Sequence, residues 1–149
     1  MAAARLTFKL NGTVNRHDSV YWAPENRNLR VDKAVNLPGV HVCCGLSSRG
    51  LVGSFFFDAT ITGEVYLEML CISIFPGLRA LYGADEEVFY QQDGAPLHYH
   101  LAVRAFLDDN LQGHWIGRRG PIEFPRRSPD LTPMDFYLWG TMKDEVYRR

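Results

Sequence analysis

The stretch Val88-Phe89-Tyr90-Gln91-Gln92-Asp93-Gly94-Ala95-Pro96-Leu97-His98 constrains this chain more than any other. Apolar residues run in and stop at a lone carboxylate. Gly, Ala and Pro follow, and a helix-like pattern begins. That is how a buried strand reads when it delivers one acid to a cleft. Pro96 suits the first turn of the next helix, where a missing N–H costs little. Ligands of open α/β sheets gather at the carboxyl ends of strands, so Asp93 is placed for chemistry. As a favoured cap residue, Asp93 equally suits capping the helix that follows.

A second stretch bears on that choice. Near the C-terminus the chain reads Glu123-Phe124-Pro125-Arg126-Arg127-Ser128-Pro129-Asp130-Leu131-Thr132-Pro133-Met134-Asp135-Phe136-Tyr137-Leu138-Trp139-Gly140. Two acids lie on a proline-stiffened approach to an aromatic helix. Asp93 with one of them would suffice for a divalent cation. Mg²⁺ takes oxygen ligands and often only one or two protein carboxylates, with water and phosphate completing its shell.

The segments QQDGAPLHYH, WIGRRGPIEFPRRSPDLTPMDFYLWG and NGTVNRHDSVYWAPEN closely resemble mariner-type transposases of animal mobile elements. The resemblance runs from Phe8 to Tyr147. It implies an α/β, ribonuclease H-like mixed sheet with flanking helices. It implies a single catalytic domain over residues 1–149, incomplete at its N-terminus and with a shortened first strand. Such domains carry an Asp-Asp-Asp or Asp-Asp-Glu triad. The match makes Asp93 the second acid and Asp135 the third, both as catalytic residues and as ligands of Mg²⁺ or Mn²⁺. The 41 residues between them exceed the spacing of the commonest family members. Asp130 belongs to the Ser-Pro-Asp-Leu signature and reads as structural.

The resemblance also exposes a departure. The family's first acid precedes the Phe matched to Phe8 by a few residues, which falls within Ala2–Ala4. No Asp or Glu precedes Asp18, which lies beyond the Asn11-Gly12 turn. Asp58 and Glu64 do not occupy acidic-site positions of the pattern. Triad enzymes use two metal ions, one for the nucleophile and one for the leaving oxygen. Losing a ligand leaves one ion without its anchor, so the expectation is a transposase fragment without cleavage activity. The family's helix-turn-helix modules do not fit before Phe8, so specific DNA reading by that route is not expected. The alternatives are a non-enzymatic remnant that binds DNA or a partner protein, and an incomplete reading frame.

Other candidates are weaker alone. In the family the position of His98 lies beside the active site, so it either supports the acid or contacts phosphate; it also reads as an ordinary histidine opening a helix. His100 reads as an ordinary helix residue, and the pair lacks further ligands nearby for zinc. Arg118, Arg119, Arg126 and Arg127 are candidate DNA-phosphate contacts, or solvated surface. Trp22, Trp115 and Trp139 read as core or interface packing.

Net charge is −1, so overall charge does not argue for nucleic acid. Its distribution is uneven: residues 51–100 carry one Lys/Arg against seven Asp/Glu, and residues 1–50 carry seven against three. An acidic middle around Asp93, flanked by basic segments, fits a metal site. Cys43, Cys44 and Cys71 form no paired framework, which suits a reducing compartment. No signal sequence and no apolar run long enough for a bilayer are read. The expected protein is soluble, intracellular and, by resemblance, nuclear. Its expected partners are DNA, bound weakly and without sequence preference, and a second copy as a homodimer; no membrane is expected.

In order, the patterns predict a strand at Leu6–Leu10 turning at Asn11-Gly12 into a strand at Ser19–Ala23, then strands at Val40–Leu46 and Leu51–Asp58. A helix starts near Thr62 as N-cap, with Val65, Tyr66, Met69 and Leu70 buried, and Pro76-Gly77 ends or kinks it. After the Asp93 strand comes a helix from Pro96 to Asp108 with Leu97, Leu101 and Ala105 on one face, widened by Ala102 and Phe106. Trp115-Ile116 forms a short strand, Gly117–Pro121 a basic turn, and Met134–Tyr147 a helix with Leu138, Met142 and Val146 inward.

Overall fold

The computed structural model describes residues 1–10, 38–125 and 133–148, with Ala4, Leu6 and residues 133–136 described in backbone only. Among these residues six strands form one sheet. β1 (Ala2–Lys9), β2 (Gly39–Ser47) and β3 (Gly50–Phe57) are antiparallel, with Ala2 opposite Leu46 and Lys9 opposite Gly39. β4 (Tyr90–Gln91), β5 (Trp115–Gly117) and β6 (Ile122–Glu123) are parallel additions. The order is β3-β2-β1-β4-β5-β6, so the sheet changes from antiparallel to parallel at β1, which meets β4 at Ala2 opposite Gln91. The architecture is the expected α/β mixed sheet. β6 is an addition that the sequence patterns do not show. The predicted Asn11-Gly12 turn, the Ser19–Ala23 strand and Trp22 lie outside the described residues.

Helices cover both faces. α1 (Gly63–Met69) begins as predicted: Thr62 Oγ1 accepts from the Val65 N–H at 3.4 Å. Pro76 does not stop this helix. A π-helical turn, Leu70–Ile74, carries α1 into α2 (Phe75–Tyr82). Pro76 lacks a donor and its ring crowds the carbonyl four residues back, and a widened turn there relieves both. α2 then presses against β3. A Cβ on Gly77 would lie 2.5 Å from Val52 Cγ1, so only glycine permits this approach.

The span Gly63–Tyr82 reaches 20 residues, and an 18-residue window within it has mean hydropathy 1.3. By length and composition it could cross a bilayer, which corrects the expectation that no such run exists. The reason for its apolarity is visible. Tyr66, Met69, Leu70, Ile74, Phe75 and Leu78 are buried in the domain, nearly all in the core shared with β4, β5 and the next helix.

The predicted helix from Pro96 is broken in two. A 3₁₀ turn, Pro96–Tyr99, ends at His100 in extended conformation, and α3 (Leu101–Leu111) starts afresh. The break resets the helical phase. Val103 and Leu107 face the core, whereas Leu101, grouped with Leu97 and Ala105 in the sequence pattern, is 72% exposed. α4 (Pro133–Val146) lies on the opposite face, where Trp139 packs with Val42 and Cys44, flanked by Leu138 and Met142. Val146 is exposed, not inward as predicted. The Tyr147 hydroxyl donates to Lys9 O at 3.2 Å and accepts from Lys9 N at 3.0 Å, pinning this end of α4 to the end of β1.

Cys43 and Cys44 alternate across β2 into the two separate cores. Burial pushes their thiols up to about 12 and about 11. Thiolate is the reactive form, and both groups are also enclosed. Cys71 is exposed. Titration of the folded protein with a disulfide reagent at pH 8 is expected to modify Cys71 rapidly, and the other two only on unfolding.

Candidate functional site

The site grows from the end of β4. Tyr90 is paired through its N–H to His114 O, and Gln92 through its N–H to Ile116 O. The backbone therefore stays in the sheet until Asp93, where Gly94 and Pro96 turn it away. Gln92 is 1% exposed, and its side chain is fully used. Nε2 donates to His98 O at 2.6 Å, and Oε1 accepts from the Tyr66 hydroxyl at 3.0 Å. The Tyr90 hydroxyl lies 3.0 Å from that of Tyr66. Burial raises the pKa of both phenols well above the ordinary value, so both remain protonated donors.

This buried chain fixes His98, whose ring packs 4.6 Å from that of Tyr66. His98 is itself buried, and its Nδ1 lies 2.5 Å from Asp93 Oδ1. The same Oδ1 accepts from the Ala95 N–H at 2.9 Å. Both readings of Asp93 thus hold together: it closes the turn and still exposes 44% of its side chain. Burial pushes its carboxyl up, but His98, the Ala95 N–H and the charge of Arg5 outweigh that and hold it below its ordinary 3.8.

β1 supplies the neighbouring wall. β1 and β4 are parallel, with Ala2 opposite Gln91, the last residue of β4, so the start of β1 runs beside the strand that leads to Asp93. Arg5, further along β1, acts on the Asp93 carboxyl. Asp135 lies in the first turn of α4, one turn before Trp139, which packs over Val42 and Cys44. Its side chain lies outside those described, as does its distance to Asp93. Arg126 and Arg127 also lie outside the described residues.

On the other side of Asp93, Arg118 runs past Gly94, where a Cβ would sit 3.7 Å from Arg118 Cδ. Its guanidinium lies 4.3 Å above the Tyr99 ring, and that of Arg119 lies 5.4 Å from it. His100 stands at the N-cap of α3, an ordinary helix-opening position as expected. Its ring packs on Gly63, where a Cβ would clash at 2.5 Å, and its Nε2 lies 3.6 Å from Glu64 Oε1.

Tyr66, Gln92, Tyr99 and Arg104 are site residues the motif reading missed. Gln92 had a signal, an amide closing an apolar strand. Tyr66, Tyr99 and Arg104 had none, since each acquires its role from a partner distant in sequence or across a turn.

No protein-family model and no curated protein matches this chain. Solved structures do match. A pre-cleavage Mos1 transpososome aligns with TM-score 0.68 and 18% identity, over 97% of this chain and 42% of that one. The Mos1 transposase catalytic domain with raltegravir and Mg aligns at 0.63 and 19%, over 99% and 61%. The catalytic domain of Mos1 mariner transposase aligns at 0.61 and 21%, over 77% and 55%. The fold is that of a mariner transposase catalytic domain. The chain spans less than two thirds of each of these Mos1 chains.

Mos1 catalytic-domain structures are described with Mg and with Mn. Among the described residues of the present chain no three His, Cys, Asp or Glu converge. Asp93 Oδ1 is engaged by His98 and the Ala95 N–H.

A carboxyl held below its ordinary pKa stabilises the fold above that ordinary value and loses its effect as pH falls through the lower folded value. Acid unfolding of Asp93→Asn is therefore expected to show a shallower loss of stability below about pH 4 than the parent. Gln92→Leu leaves buried partners unmatched and is expected to cost about 1–3 kcal/mol in urea unfolding.

Proposed function

We propose that this chain is the catalytic-domain portion of a mariner-type transposase whose metal centre lacks its first acid. It binds DNA weakly and without sequence preference, and it does not cut it. The observation that carries this reading is Asp93, held by His98 and the Ala95 N–H just past the end of β4, next to a first strand that carries alanines, not acids, at positions 2 to 4. Asp93 and Asp135 match the family's second and third acids, and the mariner-like fold supports treating that match as descent.

The chemistry follows from what the residues can hold. In-line displacement at phosphorus needs the attacking and the leaving oxygen both clamped, work done in such enzymes by two divalent ions. An alanine methyl coordinates nothing. Asp93 with waters would recruit at most one Mg²⁺ or Mn²⁺ weakly. The His98 contact and the Ala95 N–H hold the Asp93 side chain in one orientation. Arg118 and Arg119 supply positive charge beside it for phosphate. By family likeness the reading includes a nuclear location and a homodimer.

The test is a supercoiled-plasmid nicking assay with Mg²⁺ or Mn²⁺. The purified chain is expected to give no cleavage above background. Ala4→Asp, restoring an acid to β1, is expected to raise Mn²⁺ affinity measured by calorimetry, and Asp93→Asn to abolish that gain. Robust cleavage by the unaltered chain, lost in Asp93→Asn, would overturn the assignment.

A further inference from the structure

We infer that Arg104, Arg118 and Arg119 form, around Tyr99, a site for consecutive phosphates of a DNA strand passing beside Asp93. This rests on the proposed function and adds two residues to it, Tyr99 and Arg104, with a specific role for each.

The arginines come from two elements that only the fold unites. Arg104 is in the first turn of α3, and its Nε donates to Tyr99 O at 3.1 Å. Arg118 and Arg119 are on the turn between β5 and β6, and both guanidinia lie over or beside the Tyr99 ring. Three like charges are thus gathered on one half-buried tyrosine. Among the described residues no carboxylate is within ion-pair distance of any of them. The Glu123 carboxylate accepts instead from the Arg119 backbone N–H at 3.0 Å. Arg119 is held at φ 60°, an uncommon conformation for a residue with a side chain.

Like charges repel, so such a cluster costs free energy unless something anionic joins it. A stacked guanidinium keeps its outward N–H groups free and loses less freedom on binding than an unstacked one. Planar, forked donors suit phosphate oxygens. The stem of Arg118 passes Gly94, so the cluster continues directly from the acid. A strand with one phosphate at Asp93 would place its neighbours on this face. A free phosphate has the same chemistry, but the spread of three cations over two elements favours a polyanion over a single ion.

The experiment is fluorescence anisotropy with a labelled single strand and the corresponding duplex, across a salt series. Arg118→Gln and Arg104→Gln are each expected to weaken binding and to flatten the log K against log salt slope by about 0.7–0.9 per lost phosphate contact. Tyr99→Phe keeps the ring and is expected to bind as the parent does, whereas Tyr99→Leu weakens binding. Arg79→Gln, on the exposed side of α2, is expected to leave affinity and slope unchanged. Unfolding midpoints confirm that each variant is folded. DNA binding whose slope is indifferent to Arg104, Arg118 and Arg119 would overturn this site, and with it the phosphate role of Arg118 and Arg119, and leave the catalytic-domain assignment standing. Absence of DNA binding by the intact chain would overturn both this site and the proposed DNA binding. Displacement of DNA by inorganic phosphate at constant ionic strength would show a single-anion site and overturn the strand assignment.

Discussion

Gln92 is the side chain on which the site depends. An amide with 1% exposure would be costly to bury without partners, and here both of its ends are satisfied. One bond reaches Tyr66 on α1, the other reaches the backbone of His98 after the turn. The amide thereby ties the helical layer to the chain leaving β4. His98 is fixed as a consequence, and Asp93 is oriented by His98. The acid's direction is set from inside the core through His98 and from the turn itself through the Ala95 N–H.

The sheet sets where that acid can act. β1 is antiparallel to β2 and parallel to β4, so it lies at the change of direction where a cleft opens beyond strand ends. The parallel register sets the start of β1 beside the strand that leads to Asp93, and the charge of Arg5 reaches the acid from there. The same sheet lets β5 run alongside β4, so the turn after β5 delivers Arg118 and Arg119 to the Gly94 side of the acid.

Much of this was legible in the chain. Apolar runs and turn residues located β2, β3 and β5, Thr62 located the start of α1, and the Asp-Gly-Ala-Pro step located the end of β4. The errors have local causes. At Pro76, where the sequence left open an end or a kink, the helix continues through an irregular π-helical turn at Leu70–Ile74. The break at His100 shifted the phase of α3, so Leu101 went outward and Val103 and Leu107 inward. β6 is two residues long and exposed, too short to impose a period on the sequence.

The sequence by itself determined that an acid would stand at the end of a buried strand, and that no carboxylate would be available among Ala2–Ala4. Those are properties of residue order and side-chain identity. Only the tertiary structure decided that β1 runs beside β4 with Ala2 opposite Gln91, that Tyr66 and Gln92 hold the acid through His98, and that Arg104 joins Arg118 and Arg119 at Tyr99. Each of these joins residues distant in the chain or related through a turn. Strand register and helix phase bring them together, and both are set by how the two cores pack.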